Sequence, residues 1–140
     1  MAKWHRPTVN DKFHIDMQWW QESQLDFRFY VREALCSNHQ AEFPDLNETE
    51  QVDWVNEQTG EVMRVDGLWQ ALRTHCMNEP DYIDANTPIV DAVFRTFLAN
   101  GNKPLSILEL HALLDRRPPE TLLRMLTAGQ VYLGIRPVLS

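Results

Sequence analysis

Between Thr87 and Gly129 the chain marks its own helix boundaries, and this punctuation limits the fold more than any other feature. Thr87-Pro88 offers an N-cap followed by proline at the first helical position, where a missing N–H costs nothing. Ile89, Val90, Val93, Phe94, Phe97 and Leu98 then form one apolar face, and Asn100-Gly101 supplies a stop. Lys103-Pro104-Leu105 reads as a short extended connector. Ser106-Ile-Leu-Glu109 is a capping box that opens a second helix ending near Asp115, with Leu108, Leu110, Leu113 and Leu114 as its apolar residues. After Arg116-Arg117-Pro118, Pro119 opens a third helix carrying Leu122, Leu123, Met125 and Leu126, closed by Gly129. Val131-Tyr132-Leu133 with Ile135 reads as a strand.

The first 86 residues are less regular. Met1–Asp11 is polar, and Lys12–Met17 reads as a short strand or extended segment. A helical period begins near Trp19 and predicts one helix over about 18–35, capped by Asp16 or Ser23. Its aromatic residues, Trp19, Trp20, Phe27, Phe29 and Tyr30, are expected in the core. Glu42–Glu50 is acidic, contains a proline and reads as loop. Val52–Val55 and Glu61–Val65 are expected to pair as a hairpin across Asn56–Gly60. Asp66 would cap a helix from Gly67 to about Cys76, with Leu68, Trp69 and Leu72 inward. Asn78–Thr87 is a polar linker.

These elements predict a mostly α, α+β protein. An acidic region, 1–86, with a hairpin near 52–65 would pack on a three-helix unit, 87–140, through one shared core. A chain of 140 residues has room for one such domain. No apolar run approaches the roughly 20 residues of a membrane span, and the N-terminus has no apolar stretch of the secretory kind; a cytoplasmic protein is expected. The net charge of −7 argues against coating nucleic acid by bulk charge. That charge is unevenly placed. Residues 1–86 hold 16 acidic and 7 basic side chains (net −9), whereas residues 87–140 hold 4 acidic and 6 basic (net +2). Acidity therefore belongs to the N-terminal part.

The segments PIVDAVFRTFLANG, PLSILELHALLD, PPETLLRMLTAG and QVYLGIRPV, taken in order, resemble a winged helix-turn-helix domain over about residues 87–138. The resemblance implies that the third helix would lie in the major groove of duplex DNA, followed by a β wing. On that reading Arg116, Arg117, Thr121 and Arg124 would contact DNA, with Glu120 beside them and Arg136 on the strand beyond. About eleven residues follow the third helix, short for a two-stranded wing. Some winged helices dock proteins, so a protein partner stands beside duplex DNA as the expectation.

The chain's two cysteines each stand near a histidine: Cys36-x-x-His39 and His75-Cys76. Two such pairs brought together by the fold could supply the four thiolate and imidazole ligands of a zinc ion. Adjacent side chains on a helix diverge by about 100°, so one of His75 and Cys76 is expected to face away, with His14 as a substitute ligand. Two buried free cysteines or one disulfide are the alternatives. Enzymatic readings are weaker. Cys36 and His39 could form a nucleophile and base, but no oxyanion donor or orienting partner is identifiable. His14-Ile-Asp16 reads as structural, and the five glycines are too scattered to cradle a phosphate. The expected functions are a non-catalytic, DNA-associated regulator; an interaction or assembly subunit, with some of its five tryptophans as interface anchors and a homo-oligomer as one form; or a small zinc-binding structural protein.

Overall fold

The computed structural model describes residues 6–42, 51–55, 60 and 62–138; for 42, 51–55 and 62–70 only the backbone is considered. The first strand, β1 (Lys12–Ile15), is followed by α1 (Met17–Glu22), α2 (Phe27–Glu33) and α3 (Ser37–Glu42). The hairpin strands are β2 (Gln51–Val55) and β3 (Val62–Asp66), and α4 (Gly67–Thr74) leads into a 3-10 turn at Cys76–Asn78. The remainder is α5 (Ile89–Ala99), β4 (Leu105–Ser106), α6 (Ile107–Leu114), α7 (Pro119–Thr127) and β5 (Ile135–Pro137). This is a mostly α, α+β arrangement.

The three-stranded antiparallel sheet has the order β4-β1-β5, so its middle strand comes from the N-terminal part and its edges from the C-terminal part. Phe13 pairs with Leu105 on one side and Pro137 on the other, and Ile15 pairs with Ile135. Phe13 and Ile15 project from β1 into the core, where they are fully buried. That core is one cluster joining Phe13, Ile15, Trp20, Val31 and Leu72 to Val93, Phe97, Ile107, Leu110, Leu122 and Ile135. The helices from both parts close over the same apolar interior, and the amphipathic spacing of each supplies the contact face.

A buried asparagine locks β1 in place. Helix α5 ends in the left-handed arrangement that Asn100-Gly101 predicts. Gly101 has φ +76°, its N–H reaches the Leu98 carbonyl at 3.4 Å, and the Asn102 N–H reaches the Phe97 carbonyl at 2.7 Å. This turn aims the Asn102 side chain at Ile15, where it accepts from the N–H at 2.8 Å and donates to the carbonyl at 2.9 Å. One amide thus satisfies both polar groups of a buried peptide residue.

Several sequence expectations need correction. The helix expected over 18–35 is two helices, broken at Ser23–Asp26. Asp16 caps α1, Ser23 terminates it, and Asp26 caps α2 by accepting from the Arg28 N–H. Polar side chains that bond locally to the backbone outcompete continuation of the helix here. The aromatic residues still converge. Trp20 is buried against Trp19, Phe27, Tyr30 and Phe94, with ring centroids 5.1–5.9 Å away, whereas Phe29 is 46 % exposed. Thr87 does not cap α5. Its hydroxyl accepts from the Asp84 N–H and donates to the Asp84 carboxylate, so Pro88 takes the cap position. The final strand is Ile135–Pro137, not 131–135, because Leu133 (φ +53°) and Gly134 (φ +75°) turn the chain first. The Ser106/Glu109 capping box and Pro119 opening α7 are present as expected. The hairpin pairs from Gln51↔Asp66 to Val55↔Val62; most of its loop, and the side chains of Trp4, Trp54, Asp66, Leu68 and Trp69, lie outside the described residues. Among the described residues no helix is long and apolar enough to cross a membrane.

Candidate metal centre

Helices α2 and α4 pack against each other and direct their C-terminal ends to one place. Cys36 lies just past α2, where its carbonyl accepts the Gln40 N–H in the first turn of α3. His39 sits three residues on, which returns its ring toward Cys36. The Arg32 guanidinium donates to the Gln40 carbonyl, and the Gln40 amide donates to the Leu35 carbonyl at 2.9 Å, so α3 is tied back to α2. From the other side come His75 and Cys76 at the end of α4.

The four candidate ligand atoms lie within 4.8 Å of one another. Cys36 Sγ is 3.1 Å from His39 Nδ1, 3.7 Å from His75 Nδ1 and 3.4 Å from Cys76 Sγ. The two imidazole centroids are 4.6 Å apart. For a tetrahedral zinc with ordinary bond lengths, the edges are about 3.8 Å between sulfurs and about 3.6 Å between sulfur and nitrogen. The three separations from Cys36 Sγ differ from these edges by about half an ångström or less, and the four atoms together span no more than 4.8 Å. The cluster could therefore hold a metal ion. Both thiols are free, so the disulfide alternative is not realised.

The difficulty expected of adjacent His75 and Cys76 is removed by local backbone. Helix α4 stops at Thr74, and His75 takes φ −136°, ψ −59° before Cys76 starts the 3-10 turn. The 100° divergence of a continuous helix therefore does not apply, and both side chains face the cluster. His14 is not among the converging residues; it lies on β1 in register with Arg136. Sequence reasoning also missed Glu79, whose carboxylate is 3.5 Å from His75 Nε2. A carboxylate there can accept from Nε2 and so orient the ring with Nδ1 toward the sulfurs. The spacing His75-x3-Glu79 was the available signal.

The centre is graded from dry to wet. Cys76 is 1 % exposed, Cys36 and His39 are half-buried, and His75 faces solvent. Burial pushes the Cys76 thiol up to about 11. A cation bound here would have to displace that proton, and would gain from the partial negative charge at the ends of α2 and α4.

The residues expected to contact DNA are dispersed in role. Arg116 donates to the Thr87 carbonyl, and Arg136 pairs with Asp16 at 3.1 Å, so both guanidiniums are engaged within the chain. Arg117, Glu120 and Arg124 are exposed on and before α7, and Thr121 is half-buried. The His111 ring bonds the Arg117 carbonyl at 2.8 Å, fixing the α6–α7 turn. Asp16, grouped with His14 in the sequence, serves as the α1 cap and the Arg136 partner. No protein-family model, curated protein or solved structure matches the chain.

Proposed function

We propose that this is a small, non-catalytic zinc-binding protein in which Cys36, His39, His75 and Cys76 hold one structural ion. The observation that carries the reading is the convergence of all four ligand atoms within 4.8 Å. Two thiolates and two imidazoles gathered within 4.8 Å favour zinc over the harder divalent cations. Four protein ligands fill a tetrahedral ion's positions and leave none for substrate, which supports a structural role over hydrolysis. The ion would cross-link the α2–α3 junction to the end of α4, closing a loop that contains the hairpin. A reducing compartment such as the cytoplasm keeps the thiols available for it. Elemental analysis of protein purified without added metal tests the reading, with about one zinc per chain expected. Cobalt substitution should give the visible bands of a tetrahedral thiolate site. Cys36→Ser and Cys76→Ser should each lose most of the metal. Less than about a tenth of an equivalent in the wild-type protein overturns the proposal.

A second reading concerns residues 87–138, which we read as a winged-helix-like docking module for duplex DNA. Its support is the exposed side of α7, with Arg117 and Arg124, on a segment of net charge +2. Pairing of β1 with β5 gives the strand beyond α7 an antiparallel neighbour. The engagement of Arg116 and Arg136 narrows the DNA-facing set to Arg117, Thr121 and Arg124. Anisotropy titration of labelled duplex across salt concentrations tests this. Binding that weakens with salt, and further in an Arg117→Ala/Arg124→Ala protein, is expected. Absence of binding at low salt excludes DNA and leaves a protein partner, which light scattering and partner capture would pursue.

A further inference from the structure

The two sulfurs of the proposed centre are close enough to react with each other. We propose that Cys36 and Cys76 are a reversible dithiol/disulfide pair whose oxidation by a peroxide expels the metal ion. The inference rests on the zinc reading for its second half only; the sulfur pairing stands on its own geometry.

The sulfurs are 3.4 Å apart, against about 2.05 Å in a disulfide, so side-chain rotation must close only about 1.4 Å. Their surroundings differ in a way that assigns roles. Cys36 is half-buried beside the solvent-facing His75, whereas Cys76 is 1 % exposed beneath it. A small oxidant therefore meets Cys36 first, and the buried Cys76 sulfur is held 3.4 Å from it. His39 Nδ1, 3.1 Å from Cys36 Sγ, is placed to accept the proton as that sulfur reacts.

With hydrogen peroxide as oxidant the chemistry balances. The Cys36 sulfur attacks one peroxide oxygen, the O–O bond breaks, and the departing oxygen leaves as water. Cys36 is then a sulfenic acid. The Cys76 sulfur displaces its hydroxyl group, forming the S–S bond and releasing a second water. Counted from the thiols, two sulfurs lose two electrons and two protons, and one peroxide becomes two waters. Both sulfur ligands are consumed, and His39 and His75 alone cannot retain the ion. The Cys36–Cys76 cross-link itself survives, now covalent, so the loop stays closed while the metal is released. Zinc has no accessible redox change of its own, which leaves the sulfurs as the seat of oxidation.

The test uses the full chain as purified, treated with increasing hydrogen peroxide. Free thiols, zinc captured by a chromogenic chelator, and non-reducing intact mass are read together. The expected result is loss of both thiols, a mass decrease of about 2 Da, release of one zinc per chain and no dimer. Dithiothreitol followed by zinc should restore the starting state. His75→Ala keeps both sulfurs and should form the disulfide at least as fast as wild type despite weaker metal binding. Cys76→Ser should show no 2 Da loss. Thiols and zinc that both persist under about tenfold excess peroxide overturn the proposal, as do oxygen additions or intermolecular dimers in place of the internal bond. A chelator-stripped sample separates the two readings. If the purified protein holds no zinc, the zinc proposal and the release fail together, while the 2 Da loss in stripped protein still decides the sulfur pair.

Discussion

Replacing Asn102 should be among the most costly single polar substitutions in this protein. Asn102 and Ile15 are 2 % and 1 % exposed, so no water can take over the two hydrogen bonds that join them. Asn102→Ala leaves the Ile15 N–H and carbonyl without these partners, at about 1–3 kcal/mol each, or about 2–6 kcal/mol together. Alanine must also hold φ +61°, a left-handed conformation that costs a β-carbon residue about 1–2 kcal/mol. The sum is a large fraction of the 5–15 kcal/mol that typically separates folded from unfolded domains. Asn102→Gly isolates the hydrogen bonds, because glycine takes positive φ freely; it should lie about 1–2 kcal/mol above the alanine variant. Asn102→Asp keeps an acceptor for the Ile15 N–H but sets a carboxylate oxygen against the Ile15 carbonyl. It should be at least as unstable as alanine at neutral pH. Urea unfolding gives these values from the midpoint at constant slope, and hydrogen exchange at the Ile15 amide reports the local bond. An alanine variant within about 1 kcal/mol of wild type, with the Ile15 amide still protected, would refute the idea that this clamp holds β1 in the sheet.

Three further outcomes follow from the geometry. Gly134→Ala should destabilise by about 2–5 kcal/mol, because its Cβ would lie 2.7 Å from the Trp20 indole nitrogen at φ +75°; Gly129→Ala, at φ +94° with open space around it, should cost only about 1–2 kcal/mol. Thermal unfolding and Trp fluorescence would separate the two, and equal losses would contradict the packing explanation. Leu72→Ala, at a fully buried position on α4, should cost about 2–5 kcal/mol in urea unfolding, and a loss below about 1 kcal/mol would mean that α4 is not anchored there. The Glu109 carboxyl is held below its usual 4.5 by Lys12 and by the Ser106 N–H that it caps. A group shifted downward contributes stability above its unfolded value and loses it as pH falls through the folded value. The wild-type minus Glu109→Gln stability, measured on metal-free protein, should therefore shrink as pH drops below about 4.5. A difference that stays flat with pH would show that the charge adds nothing.

What the sequence disclosed and what it hid divide along the range of the interactions concerned. The capping box at Ser106/Glu109, the stop at Asn100-Gly101 and proline at the start of α7 act within four residues, so the residues themselves announce them. The break between α1 and α2 is equally local, yet the apolar period running through it masked Asp26, a cap whose mechanism was in plain view. The sheet order could not be read in the same way. Four residues, Lys12–Ile15, carry no mark that they will lie between Leu105–Ser106 and Ile135–Pro137; that placement is decided by burial of Phe13 and Ile15 and by an asparagine 87 residues away. The Cys/His cluster falls between these cases. Residue types and pair spacing identified all four members, but their convergence depends on α2 packing against α4, a long-range event. Neighbouring His75 and Cys76 would diverge only on a helix that continued through both. The chain leaves helical geometry at His75, and that single backbone departure turns an unfavourable spacing into a shared face. A Cα position therefore matters less here than where the helix stops: moving the end of α4 by two residues would rotate Cys76 away from Cys36 and dissolve the cluster without altering any of its four residues.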